Sequence, residues 1–198
     1  MTSDVKFPLT NQELAAIGKD GLVRLHATWD EYWEVLAAAE YRADFYNNEI
    51  IASMSYEGDI HSMIAARFST ILGVIFGELN DFRVYNSNRP VYIPACKHLK
   101  TGVFNSDGMV ISLPTTPYEY QKGMTAETTP ILLIEILSEN TQSYDWGTKL
   151  PCYKEISSLQ QIFFIEQSKP KIFVMEREAP NRWVETTLTQ AEEAIVIQ

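Results

Sequence analysis

Residues 130–137, PILLIEIL, set a single carboxylate, Glu135, inside an otherwise apolar run. A run of this kind, entered through a proline, reads as a strand buried on both faces. An unpaired carboxylate there costs several kcal/mol, so a neighbour must compensate it. Whatever compensates Glu135 decides what the chain is built around.

The flanking sequence supplies a helix-covered sheet. Two capping-box patterns, Thr10 with Glu13 and Thr28 with Glu31, open two helices, the first ending near Gly18 and the second near Ala39. YRADFY and EIIASMS read as a hairpin turning at Asn47–Asn48. In DIHSMIAARFSTILGVIFGEL, Ile60, Ile64, Phe68, Ile71, Leu72, Ile75 and Leu79 recur at helical steps, which predicts a long amphipathic helix packed on a sheet. Short strands are expected at 82–86 and 89–93, then a loop containing ACKHLKTG, a strand at 107–113 and a loop at 114–130. After Leu137 a helix should run to about Ile156, kinked by Pro151, followed by a hairpin of QQIFFIE and KIFVMER and one further edge strand. The expected architecture is α/β or α+β: a mixed sheet flanked by helices.

The 198 residues suit one domain, and 1–28 reads as an N-terminal helical extension to a domain spanning 29–198. No uninterrupted apolar stretch approaches the ~18–20 residues of a membrane span, and no basic-then-apolar leader opens the chain. Cys96 and Cys152 have no metal or redox spacing and read as free thiols. The expectation is a soluble cytoplasmic protein with no membrane partner. A net charge of −10 argues against a chain that grips nucleic acid chiefly by electrostatics, while leaving room for a local basic groove.

Asp107, at the entrance of the apolar strand MVISL, is a natural companion for Glu135. If the two strands are neighbours, both carboxylates project from one sheet edge, and a divalent cation between them relieves their repulsion. Oxygen ligands of this kind suit Mg²⁺ or Mn²⁺, with the backbone carbonyl of Ile136 as a further ligand. Lys149, in the following helix, could return over the sheet edge and stabilise negative charge on a metal-bound water or a phosphate. Together the three would form a metal-assisted phosphodiester hydrolase site. On residue types and spacing alone, a structural ion pair is the more economical account of Glu135. NSDG around Asp107 is also a good turn, and a lone helical lysine is usually solvated.

The segment from Pro130 to Arg177 resembles the core of the Uma-type restriction-endonuclease family, within the PD-(D/E)xK nuclease superfamily. The matching residues are Glu135, Leu137, Ser138, Asp145, Gly147, Lys149 and Tyr153; Ser106–Asp107 stands where the family has Pro-Asp. The family's acidic hairpin matches NNEII at Glu49, and its histidine-led helix begins at His61. Leu137 occupies the position of the superfamily's commonest lysine, so the resemblance assigns that role to Lys149 from the helix.

The resemblance implies a restriction-endonuclease-like fold and Mg²⁺-dependent cleavage of nucleic acid, DNA more than RNA, by a homodimer. It implies Asp107, Glu135, Lys149 and Glu49 as catalytic residues, with Asp107, Glu135 and Ile136 on the metal. The family pattern also places Tyr153 beside Lys149, and Asp145 at a helix start suits the dipole there. Arg83, Arg89, Lys97, His98 and Lys100 are the basic residues available for nucleic acid, or an ordinary solvated edge. Two other readings compete: a nuclease-fold binding module without turnover, and a partner-binding protein in which Glu135 is merely salt-bridged.

Overall fold

The computed structural model describes residues 7–18, 21–53, 58–86, 89–96, 100–190 and 194–197. The opening elements are α1 (Asn11–Ile17), β1 (Leu22–His26), α2 (Trp29–Ala38), β2 (Ala43–Tyr46), β3 (Glu49–Ser53) and α3 (Asp59–Phe76). Strands β4 (Phe82–Asn86), β5 (Pro90–Cys96), β6 (Lys100–Asn105), β7 (Gly108–Ser112), β8 (Tyr118–Gln121), β9 (Met124–Ala126) and β10 (Pro130–Leu137) follow. The chain then forms α4 (Gln142–Tyr144), a π-helical turn (Asp145–Lys149) and α5 (Leu150–Tyr153) as one continuous helix. It closes with β11 (Gln161–Glu166), β12 (Lys171–Ala179) and β13 (Arg182–Leu188).

The helices begin where their caps dictate. Thr10 and Thr28 each accept from the backbone N–H three residues on, and Glu13 and Glu31 bond back to the cap, so both capping boxes are complete. Asn47 and Asn48 both take positive φ, 54° and 58°, the geometry of a tight two-residue hairpin turn that asparagine tolerates. Pro151 does not end its helix. It lacks the N–H that would reach the carbonyl of Gly147, and its ring crowds that carbonyl; the preceding turn widens so that Leu150 N–H bonds to the carbonyl of Asp145.

The strands make two main sheets: a five-stranded one in the order β1-β3-β2-β6-β5 and a six-stranded one in the order β13-β12-β11-β10-β7-β4. The second is mixed, since β10 and β11 run parallel and its other neighbours antiparallel. Three strand regions depart from the sequence reading. The segment expected as a helical extension holds α1 and also β1, which pairs with β3 along its whole length. The stretch around Lys100 expected as loop is β6, and the loop at 114–130 contains the β8–β9 hairpin.

Three apolar layers result. Leu14, Tyr32, Trp33 and Val35 cover the outer face of the five-stranded sheet. Between the sheets lie Ile51, Val91, Phe104, Met109, Leu133, Tyr153 and Phe164. Leu72 and Phe76 of α3 seat on Val110, Leu132, Ile134 and Ile136 across the far face of the six-stranded sheet. The continuous apolar run of β10 follows from this: its alternate residues meet α3 and the interior. Cys96 and Cys152 are buried free thiols.

Between Asn105 and Gly108 the chain leaves one sheet and enters the other, so Ser106 and Asp107 form the joint. Near this joint β6 tolerates no side chain at Gly102. A Cβ there would lie 2.5 Å from the Phe104 ring and 2.7 Å from Cys96 Sγ. Gly102→Ala should therefore cost about 1–3 kcal/mol in urea unfolding, through forced repacking of the interior layer.

Candidate active site

Glu135 projects from β10 into the layer between the sheets, with 2% of its surface exposed. Its companion arrives from the helix that follows. Ser138 Oγ accepts the N–H of Thr141 and turns the chain at the end of β10, and the helix then runs back across the strand. The Lys149 ammonium donates to Glu135 Oε2 at 3.0 Å, and Tyr153, one helical turn on, donates its hydroxyl to Oε1.

Lys149 is shared. Its Nζ also donates to the carbonyl of Asn105 (3.2 Å) and stands 3.3 Å from Asp145 and 3.8 Å from Asp44. Asp44 in turn accepts from the backbone N–H and side-chain amide of Asn105 and from the hydroxyl of Tyr144. Three buried carboxylates thus surround one buried ammonium.

Asp107 adjoins this cluster from the joint. The ladder between β7 and β10 ends at Ile134–Gly108, and beyond it the Asp107 carboxylate replaces the missing strand by accepting the N–H of Ile136 at 2.7 Å. Ile136 therefore turns its carbonyl toward the same edge as Asp107, because N–H and C=O of one strand residue share a side. His61, in the first turn of α3, brings Nε2 to 3.3 Å from the same Asp107 oxygen.

Burial pushes Glu135 well above the ordinary carboxylate range; repulsion by Asp145 and Asp107 adds to this, and Lys149 only partly opposes it. Asp145 is raised chiefly by burial as well. Burial would depress Lys149, yet Glu135, Asp145, Asp44 and Asp107 outweigh it and hold the ammonium firmly charged. Asp107 goes the other way: burial would raise it, but the hydrogen bond and charge of His61, with Lys149 and the Ile136 N–H, bring it below the usual range. The cluster is short of positive charge.

These groups line a cavity of about 1090 Å³, one wall of which is α1 with Asn11 and Gln12. Among the described residues no three His, Cys, Asp or Glu side chains are placed to cage a metal by themselves. Two carboxylates and a carbonyl with water in the other positions is what Mg²⁺ accepts, and a buried acid excess is what it neutralises. The donor set fits a hard divalent cation.

Asp107, Glu135, Ile136 and Lys149 are brought together. Glu49 is not: it is ion-paired to Arg24 at 3.0 Å, across the pairing of β1 with β3, and does not line the cavity. Asp145 does more than favour a helix dipole, being buried against Lys149. Asp44 was not anticipated, although an acid between Ala43 and Phe45 is the same kind of signal as Glu135. Of the basic residues, Arg89 is bound to Glu127 and the carbonyl of Thr125, Arg83 is exposed on β4, and Lys100 opens β6. Lys97 and His98 lie outside the described residues.

The fold is mixed α+β, with two carboxylates and a lysine converging near the joint between its sheets. The chain belongs to the Uma2 family, described as "Putative restriction endonuclease", whose model matches residues 29–198. It is 24% identical over 164 residues to the uncharacterized protein sll1609 of Synechocystis, covering 78% of this chain and 88% of that one. The crystal structure of a "putative nuclease belonging to DUF820" from Anabaena variabilis shares the fold, with a TM-score of 0.63 and 16% identity over 96% of this chain and 90% of that one. The wall formed by α1 lies outside the matched family region.

A carboxyl raised on folding favours the native state below its ordinary value and disfavours it as pH climbs through the raised one. The metal-free protein should accordingly lose stability from Glu135 and Asp145 as pH rises above the normal carboxylate range. Glu135→Gln should flatten that slope in denaturant titrations run from acid to neutral pH; an unchanged slope would mean that Glu135 takes up no proton on folding.

Proposed function

We propose that this protein is a Mg²⁺- or Mn²⁺-dependent endonuclease that hydrolyses phosphodiester bonds, in DNA rather than RNA, and acts as a homodimer. The observation that carries the reading is the buried acid excess around Lys149, open to a cavity large enough for part of a polynucleotide backbone. Asp107 and Glu135 would hold the cation together with the Ile136 carbonyl. When bound, such an ion lowers the pKa of a coordinated water and polarises the phosphate.

The remaining chemistry belongs to the chain. Lys149 presents a permanently charged ammonium to the negative charge that develops on the phosphate or the attacking oxygen. Asp44, Asp145 and the Asn105 carbonyl are positioning groups that fix this ammonium. Tyr153 orients Glu135, and the Ile136 N–H orients Asp107. Depth in the cavity limits competing water and strengthens each of these interactions.

A second reading, a nuclease-fold binding module without turnover, is favoured by one observation. Both Glu135 oxygens are already engaged, by Lys149 and Tyr153, in a protein of net charge −10. Calorimetric titration of Mn²⁺ separates the two when combined with plasmid and RNA cleavage by the same samples. Binding should release protons, seen as a dependence of the heat on buffer ionisation enthalpy, because the cation displaces them from the raised carboxyls. Glu135→Ala should abolish binding. Lys149→Met should retain metal while cleavage falls by roughly 10²–10³-fold, the scale on which one stabilising donor acts. Binding without cleavage in the wild type selects the second reading.

A further inference from the structure

Helix α3 is apolar on two faces, and the sheet covers only one. Leu72 and Phe76 are buried, and Ile64 and Phe68 pack beside them. On the outer side Ile60, Met63, Ile71 and Ile75 are about half exposed and Val74 is 76% exposed. Surface helices normally show polar residues there, and a helix apolar all round is normally covered all round.

The stripe has a symmetry of its own. Ile60, Met63, Arg67, Ile71 and Val74 follow one another at steps of three, four, four and three, so the pattern reads the same in both directions from Arg67. A two-fold axis through Arg67 sets two such helices antiparallel. Ile60 then meets Val74 of the second copy, and Met63 meets Ile71 of the second copy. An isologous contact requires this kind of self-complementarity.

The chemistry disfavours a lipid surface. By length and composition α3 could cross a bilayer, but Leu72 and Phe76 hold it to the sheet. Helices lying on membranes carry rows of Lys and Arg on their polar face, whereas α3 has Arg67 alone in a chain of net charge −10. Eighteen residues make a helix about 27 Å long, and the edge strand β4 packs beside its inner face through Phe82 and Phe76.

We infer that the outer face of α3, with the neighbouring β4 edge, is the surface on which a second copy of this chain docks in antiparallel two-fold fashion centred on Arg67. The inference rests on the homodimer reading above and gives it a surface, but does not depend on catalysis. It mounts the two sites at opposite ends of one helix pair: the two His61 positions lie twelve residues apart through the axis, about 18 Å along it.

Sedimentation velocity over a wide concentration range tests it. The wild type should form a dimer, and Met63→Glu combined with Val74→Glu should weaken it at least roughly tenfold. Both positions are exposed, so circular-dichroism melts of that variant at low concentration should match the wild-type monomer. Arg67→Leu should tighten the dimer by removing two facing charges. Mild oxidation of Arg67→Cys should yield a disulfide-linked dimer, and Thr187→Cys, on exposed β13, should not. A wild type that stays monomeric, or a dimer unaffected by the double variant, overturns the proposal. So does co-sedimentation with phosphatidylcholine–phosphatidylglycerol vesicles that the double variant abolishes. None of these readouts involves cleavage, so a failed nuclease assay leaves the test standing.

Discussion

One ammonium among three buried carboxylates is the arrangement on which the rest of the molecule depends. Lys149 is held by Glu135, Asp145 and Asp44, each from a different element. Removing a charge from water is tolerable only if partners nearly replace its hydration, and here they come from both sheets and from the helix. Asn105 supplies a carbonyl to Lys149 and two donors to Asp44, while Tyr144 and Tyr153 add hydroxyls. Such a network fixes where β2, β6, β10 and the helix must sit relative to one another. It also gathers more carboxyl groups than cations, and burial raises Glu135 and Asp145 in consequence.

The helix delivers its residues through an irregularity. Asp145, Lys149 and Tyr153 are spaced by four and face Glu135 together, yet the first two bound a π-helical turn. A wider turn shifts the residues that follow it relative to a regular α-helix, so Lys149 and Tyr153 owe their placement partly to Pro151 just beyond. A proline that looks like a threat to the lysine's position is thus part of how the lysine is placed.

What could be read in the sequence follows from contrast. Glu135 stands out because it interrupts a long apolar strand, and Asp107 because it opens another. Asp44 has the same character, but β2 is only four residues long and the contrast is lost among its neighbours. Glu49 matched a family pattern beside a turn. Its partner Arg24 lies on β1, a strand hidden within an apparently helical extension, so the ion pair that holds Glu49 away could not be foreseen. The division into two sheets was equally illegible. Apolar runs mark strands without stating their neighbours, and the joint at Ser106–Asp107 looks like an ordinary turn until the strands on either side are seen to belong to different sheets.

Helix α3 shows the same limit in the helical period. Ile60, Ile64, Phe68, Ile71, Leu72, Ile75 and Leu79 read as one broad face, because steps of three and four accommodate a wide stripe. Packing divides them: Leu72 is buried while Ile60, Ile71, Ile75 and Leu79 remain at the surface. The two faces serve different ends, since the helix that turns its outer stripe to solvent also carries His61 to Asp107. One helix thus presents the unpartnered stripe and, from its first turn, the imidazole that faces the carboxylate at the joint, two tasks that an apolar period alone does not separate.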